Sequence, residues 1–318
     1  MRNLATSERI ALEIEFTQWL ADNVPACDEQ FLGIGDDAAI LRGMATEGLV
    51  VTTDTLTDGI DFLTEKVPPN AIGHKALGVN LSDLAAMAAK PRAAVVSLVL
   101  PKEGAAGLPV LDFAITIYEG LIPLALQFET SLVGGDTNTW DGPLVIGVTA
   151  IGEVTEQGPL TRSGAQLGDV LLITGTLGGS ILKKHLLVEP RCREALQLNE
   201  RYELHAGIDI SDGLSLDASR LAQASGCGVA LDLSAIPIAE DAVRRSARSG
   251  RDAIEHALND GEDFELLLAV PPDAAEQILA EKALGIPVTR IGHCVSEAGL
   301  WQMQKDELKP LKPGGYLH

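Results

Sequence analysis

Apolar residues recur along this chain with two different periods, and the alternation between them outlines the elements. Residues Ser7 to Asp22 carry Ile10, Ile14 and Trp19 among polar neighbours, a helical spacing that Pro25 stops. After the loop GIGDDAAIL, the β-branched run GLVVTTD predicts a buried strand. The Ala- and Leu-rich segment from Asn70 to Ala89 has helical spacing, and Pro91 ends it before the strand AAVVSLVL. Another helix is expected between Leu108 and Gln127, then two short strands, TSLVGGD and PLVIGVTAIGEV, with Asp136 at the turn between them. The polar, Gly-containing stretch TEQGPLTRSGAQLGD interrupts the pattern and sets a domain boundary, giving expected domains 1–153 and 154–318.

The second half alternates again. It predicts the strands DVLLITG, GIDISDG, GVALDL and DFELLLAV, and short strands at Val288 to Ile291 and Leu300 to Met303. Between them fall helices at Ser180 to Leu187, Ser215 to Ala224, Asp241 to Ala247 and Ala274 to Ala283. The fold class is therefore α/β with α+β mixing in both halves. No repeat with a period of about 20–50 residues stands out.

Composition narrows the function. At 318 residues, 46% hydrophobic and 22% charged, the chain is long and apolar enough for two globular domains. A net charge of -21 argues against nucleic acid, whose binding relies on Lys and Arg displacing counterions. The four cysteines, Cys27, Cys192, Cys227 and Cys294, form no CxxC pair, which fits reduced thiols in a cytosolic protein. Acidic residues interrupt the N-terminal segment where an export signal needs an apolar core. The apolar stretch from Leu108 to Phe128 contains Asp112, Glu119 and Pro123, so it reads as an amphipathic helix rather than a membrane span.

Acidic clusters carry the candidate chemistry. They are Asp36 with Asp37, Asp54 with Asp58 and Asp61, Asp83, Asp136, Asp209 with Asp212, and Glu262 with Asp263, nearly all beside Gly, Ser or Thr at the end of an apolar run. Each alone also reads as a helix cap or turn. Together they are costly, since two carboxylates about 4 Å apart repel by about 4 kcal/mol at an effective dielectric of about 20. Divalent cations relieve that repulsion, and Mg2+ also accepts the phosphates of a nucleotide. GIGDDA fits the GxGxxA spacing of a dinucleotide loop, but Asp36 and Asp37 would set anions against a pyrophosphate. No P-loop, protein-kinase signature, GxSxG or HExxH occurs. Arg162 in LTRSGA suits bidentate phosphate contact and equally a solvated surface. Ser211 in DISDG has no His nearby in sequence, so it reads as a turn or phosphate contact rather than a nucleophile.

GIGDDAAIL, VTTDTLTDGIDF, HKALGVNLSDLAAMAAKP, LVGGDT, LTRSGAQLGD, GIDISDGLSLD and DGEDFELL occur in this order from about Phe31 to the end. The ordered set resembles the thiamine-monophosphate kinase family of the aminoimidazole ribonucleotide synthetase superfamily. The resemblance implies two α/β domains, with the N-terminal domains pairing through their strands in a homodimer. It implies Mg2+ ligands at Asp37, Thr52, Thr53, Asp54, Asp83, Asp136, Asp209 and Asp212. Nucleotide contacts then fall at Gly135, Asp136, Arg162 and Ser211, and substrate contacts at Asp61, Glu262 and Tyr316.

The implied reaction moves the γ-phosphoryl of ATP onto the phosphate of thiamine monophosphate, in the cytoplasm. A phosphate monoester, with a second pKa of about 6, is already largely ionised, so no general base is expected. Metal-assisted alignment and charge neutralisation carry such a transfer. Four departures from the family pattern stand out. Asp61 replaces a family His, GGDTNTWDG lacks an Arg after Asp136, and Asp260 turns GGED into DGED, while the connection between Gly179 and His185 is short. Two other readings stay open: another ATP-dependent superfamily enzyme with a different small substrate, and a catalytically silent nucleotide-binding paralogue.

Overall fold

The structure, a computed structural model, describes residues 48–315 except 283 and 306, with Trp19, Asn23 and the short strands β1 (Phe31–Leu32) and β2 (Ile40–Leu41). The expected helix at Ser7 to Asp22, the acidic pair Asp36 and Asp37, and Tyr316 lie outside the described residues apart from Trp19. The chain divides into two compact units. One comprises Met1–Asn80 and Pro91–Glu153, the other Leu81–Lys90 and Val154–His318.

The first unit holds a four-stranded sheet in the order β3-β6-β4-β5, with β3 Leu49–Thr57, β4 Lys90–Pro101, β5 Ser131–Trp140 and β6 Val145–Glu153. β3 runs antiparallel to β6, and β4 runs parallel to β5, a pairing that requires the crossover helix between them. That helix is α2, Val110–Gln127, and α1, Pro69–Ala86, precedes β4. α2 is long and apolar enough to span a membrane by length and composition, yet Phe113, Ile117, Leu121 and Leu124 are buried within the unit. The two helices meet through glycines. A Cβ on Gly73 would fall 1.9 Å from the Ile117 carbonyl oxygen, and one on Gly120 would fall 1.7 Å from that of Asn70.

The second unit is built on a seven-stranded sheet in the order β13-β12-β9-β11-β7-β10-β8. Its strands are β7 Val170–Thr174, β8 Ala206–Asp209, β9 Gly228–Leu231, β10 Leu266–Val270, β11 Val288–Val295, β12 Gly299–Gln304 and β13 Glu307–Pro310. β7, β8, β9 and β10 are buried throughout, and their Leu, Ile and Val side chains share a core with Leu214, Ala218 and Leu221 of α4, Leu214–Ser225. Continuous apolar runs are what a strand covered on both faces requires. The remaining helices are α3 Cys192–Arg201, α5 Glu240–Ser249, α6 Ala253–Asn259 and α7 Pro272–Glu281.

Three local expectations differ from the structure, the first being that GLVVTTD forms β3 at a sheet edge with Leu49 and Val51 exposed rather than a buried strand. Asp136 is not in a turn: β5 continues past it to Trp140, because the alternation of TNTW stays in register with the long parallel strand β4 up to Pro101. Ser180 to Leu187 forms two separate 3-10 turns, Ser180–Leu182 and Lys184–Leu186, rather than one helix. Lys183 between them has φ -168° and ψ -45°, outside the helical region. α3, α6 and β13 are additional elements for which no expectation was drawn.

Candidate active site

In the second unit the site grows from the turn between β8 and α4. β8 ends at Asp209, and the next residues, Ile210 to Gly213, carry Ser211 and Asp212 into the helix. Asp217 in the first turn of α4 organises this turn, because its Oδ2 accepts the N–H groups of Asp212 and Gly213 at 3.0 and 3.1 Å. These are donors that a helix start leaves unsatisfied. Burial, then the neighbouring Asp212, pushes the Asp217 carboxyl up to about 6. Arg220 bridges the Asp212 and Asp217 carboxylates at 2.5 and 2.8 Å.

Asp209 is buried and accepts the Ser82 hydroxyl at 2.6 Å. Burial, then the facing charge of Asp83, pushes its carboxyl up to about 8, while Ser82 and Arg162 pull it down. Arg162 itself is exposed, and its carbonyl accepts the Ser225 hydroxyl at 3.0 Å. A second loop lies against the first. The N–H groups of Glu262 and Phe264 donate to the carbonyls of Ser211 and Ile210 at 2.7 and 2.8 Å. The second unit thus sets Ser82, Asp83 and Arg162 to act on Asp209, whose strand leads into the Ser211–Asp212 turn, and lays the Glu262 loop against Ser211.

The first unit distributes its candidates differently. Side chains alternate along β3, so Thr52 and Asp54 share the face that Val148 and Ala150 of β6 bury, while Thr53 points to the other face. The Thr53 hydroxyl donates to the Val148 carbonyl at 3.1 Å and accepts that of Thr149 at 2.9 Å, so a metal contact through its side chain is separated from those of Thr52 and Asp54. Gly135 and Asp136 are exposed on β5, and a Cβ on Gly135 would fall 1.8 Å from the Val96 carbonyl oxygen. β3 and β5 are opposite edges of the sheet, three strand spacings or about 14 Å apart if the sheet were flat. Asp54 and Asp136 therefore do not form one contiguous pair on this sheet.

Asp61 closes its own turn, its Oδ2 accepting the Thr57 N–H at 2.6 Å while its N–H donates back to the Thr57 carbonyl at 3.0 Å. Lys75, fully buried, donates to the Asp61 carbonyl at 2.8 Å, which makes it a support for this turn rather than a surface cation.

Among the described residues no three His, Cys, Asp or Glu side chains gather in a metal-binding group. The residues nonetheless fit a divalent cation in one respect. A buried carboxylate whose charged form is disfavoured by burial and by a second carboxylate is relieved by a cation bound to both. Sequence reasoning missed Ser82 and Asp217. Ser82 adjoins Asp83 in NLSD, and Asp217 follows Asp212 by five residues at a helix start, a spacing that local capping chemistry could have flagged.

Two α/β units with acidic loops at strand ends match two family descriptions, AIR synthase related protein, N-terminal domain, over residues 35–154, and AIR synthase related protein, C-terminal domain, over residues 142–300. A thiamine-monophosphate kinase of Rhodopirellula baltica is 41% identical over 315 residues, covering 96% of this chain and 97% of the relative. The crystal structure of a thiamine-monophosphate kinase from Stenotrophomonas maltophilia K279a is 34% identical with a TM-score of 0.77, covering 92% of this chain and 95% of that one. AaThiL, complexed with AMPPCP and TMP, is 26% identical with a TM-score of 0.74, covering 99% of each chain. The chain belongs to the thiamine-monophosphate kinase family of AIR synthase related proteins.

Proposed function

We propose that this chain is a kinase that uses ATP to phosphorylate thiamine monophosphate, giving thiamine diphosphate and ADP. Membership of the family over nearly the whole chain carries this reading, and the meeting of Asp83 with buried Asp209 beside the Ser211 turn supports it. Mg2+ would be held by Asp37, Asp54, Asp83, Asp136, Asp209 and Asp212 with Thr52 and Thr53, and would supply charge neutralisation between two phosphates. Arg162 and Ser211, with Gly135, are assigned to the nucleotide. Glu262, Asp61 and Tyr316 are assigned to the acceptor, Asp61 already using one carboxylate oxygen for its turn. The protein's task is positioning and charge, since the acceptor phosphate is its own nucleophile and transfer is in line. The working form is a cytoplasmic homodimer.

Two measurements test this. With millimolar Mg2+, the purified chain should release ADP only when thiamine monophosphate accompanies ATP. Asp54→Asn should lower kcat by at least about a hundredfold, in line with losing one electrostatic contact to the transferring group. An unchanged rate would remove Asp54 from the metal set, and normal ATP binding without turnover would refute the acceptor assignment.

A further inference from the structure

The acceptor side of the site is built on a strained turn. Gly261, Glu262 and Phe264 have φ of +73°, +54° and +50°. Residues with large side chains hold that conformation only where their surroundings over-determine it, and such outliers cluster at functional sites.

On one side the turn is pinned to the nucleotide loop by backbone. Besides the bonds from Glu262 and Phe264, a Cβ on Gly261 would lie 2.7 Å from the Ser211 carbonyl oxygen. On the other side it is pinned by carboxylates. Asp263, 1% exposed, accepts the Gly178 N–H on its two oxygens at 2.9 and 3.0 Å and also the Ser180 hydroxyl. Asp260 accepts the Gly179 N–H at 3.2 Å and Arg245 at 2.8 Å, with His256 Nδ1 at 2.9 Å. The Gly178–Ser180 loop cannot shift easily to follow the turn. A Cβ on Gly178 would meet the Ala257 nitrogen at 2.6 Å, and one on Gly179 the Asp241 carbonyl carbon at 2.3 Å.

We propose that Asp263, with Asp260 beside it, is a positioning residue for the phosphoryl acceptor: it fastens the strained turn to the Gly178–Ser180 loop and so sets where Glu262 stands relative to Ser211. The inference rests on the kinase reading, in which Glu262 faces the acceptor. Asp263 acts through the turn and not on the ligand, because its buried oxygens are taken by Gly178 and Ser180. Asp260, which departs from the GGED pattern, adds a second fastening through Arg245 and His256.

Steady-state kinetics of the full chain test this with Asp263→Asn, Ser180→Ala and Glu262→Gln. At pH 8, Asp263→Asn should raise KM for thiamine monophosphate about tenfold, the effect of one weakened hydrogen bond to a charged group, with KM for ATP within about twofold. Ser180→Ala, which removes a single donor, should move the same constant by about threefold and serves if Asp263→Asn does not fold. An unchanged acceptor KM in the folded variants, or an equal rise in both KM values, overturns the proposal. Glu262→Gln separates the two levels. If it leaves the acceptor KM unchanged, the placement of Glu262 fails. If it raises that KM while Asp263→Asn and Ser180→Ala do not, only the positioning role fails.

Discussion

Burial pushes the Asp263 carboxyl from its ordinary 3.8 up to about 7, against the opposing pull of Lys184, the Ser180 hydroxyl and the Gly178 N–H. Glu265, two residues on and equally hidden, goes the other way. Burial would raise it, but a two-pronged contact from Arg191 at 2.7 Å and Lys184 at 2.7 Å holds it below the usual carboxylate range. The number of cationic partners, not depth, decides the sign. For Asp263 the folded state binds the extra proton between about pH 4 and 7, so its contribution to stability is complete below about pH 4 and is lost as pH rises through about 7. Asp263→Asn removes that titration. Melting temperatures at pH 5 and pH 8 should therefore fall less with rising pH in the variant than in the parent, and parallel declines would contradict the assignment.

The α1–α2 contact in the first unit makes a prediction at the scale of elements. With carbonyl oxygens 1.7 to 1.9 Å from where a Cβ would sit, Gly120→Ala or Gly73→Ala must part the helices. Each should cost about 2–3 kcal/mol in urea unfolding, in the range of overpacked cores. A loss below about 0.5 kcal/mol would mean that the helices slide without penalty. These two helices were legible because each is a mostly apolar run of 18 residues, too long for a strand. α3 was not, since CREALQLNER buries only Cys192, Ala195 and Leu198 and its remaining seven positions are polar or partly exposed. The 3-10 turns at 180–186 were misread for a different reason. Ser180 and Lys184 are held by Asp263 and Glu265, more than eighty residues away, and such distant partners leave no local periodicity. The same limit applies to the site. Each acidic cluster was visible one by one, but the 127-residue separation between Ser82 and Asp209 hid their contact. The alternation of β3 that turns Thr53 away from Asp54 needed the strand's register as well as its existence.

At the scale of the whole molecule, the first unit leaves β3 at a sheet edge with Leu49 and Val51 exposed, Val51 to 61%. Unprotected strands of this kind favour pairing with another chain. Under the homodimer proposal, with β3 as the pairing edge, light scattering should give a dimer's mass for the parent chain and a monomer's for Val51→Asp, because the substitution puts a charge into the joint. A dimer that Val51→Asp leaves intact would rule out β3 as the pairing edge, and a monomeric parent would refute the homodimer itself. A different consequence follows from residues Leu81–Lys90, which lie early in the sequence yet belong to the second unit. They supply the hydroxyl that Asp209 accepts, the Met87 carbonyl that receives the Leu160 N–H at 3.0 Å, and the Leu81 carbonyl that receives the Cys192 thiol at 3.1 Å. A gene encoding 154–318 alone would thus specify an unfinished domain with a buried carboxylate missing its donor. That fragment should melt without a sharp transition, and a transition as cooperative as that of the full chain would show it to be self-sufficient. The two halves of this enzyme cannot be inherited separately by a single cut, because the second half borrows a piece of itself from the first.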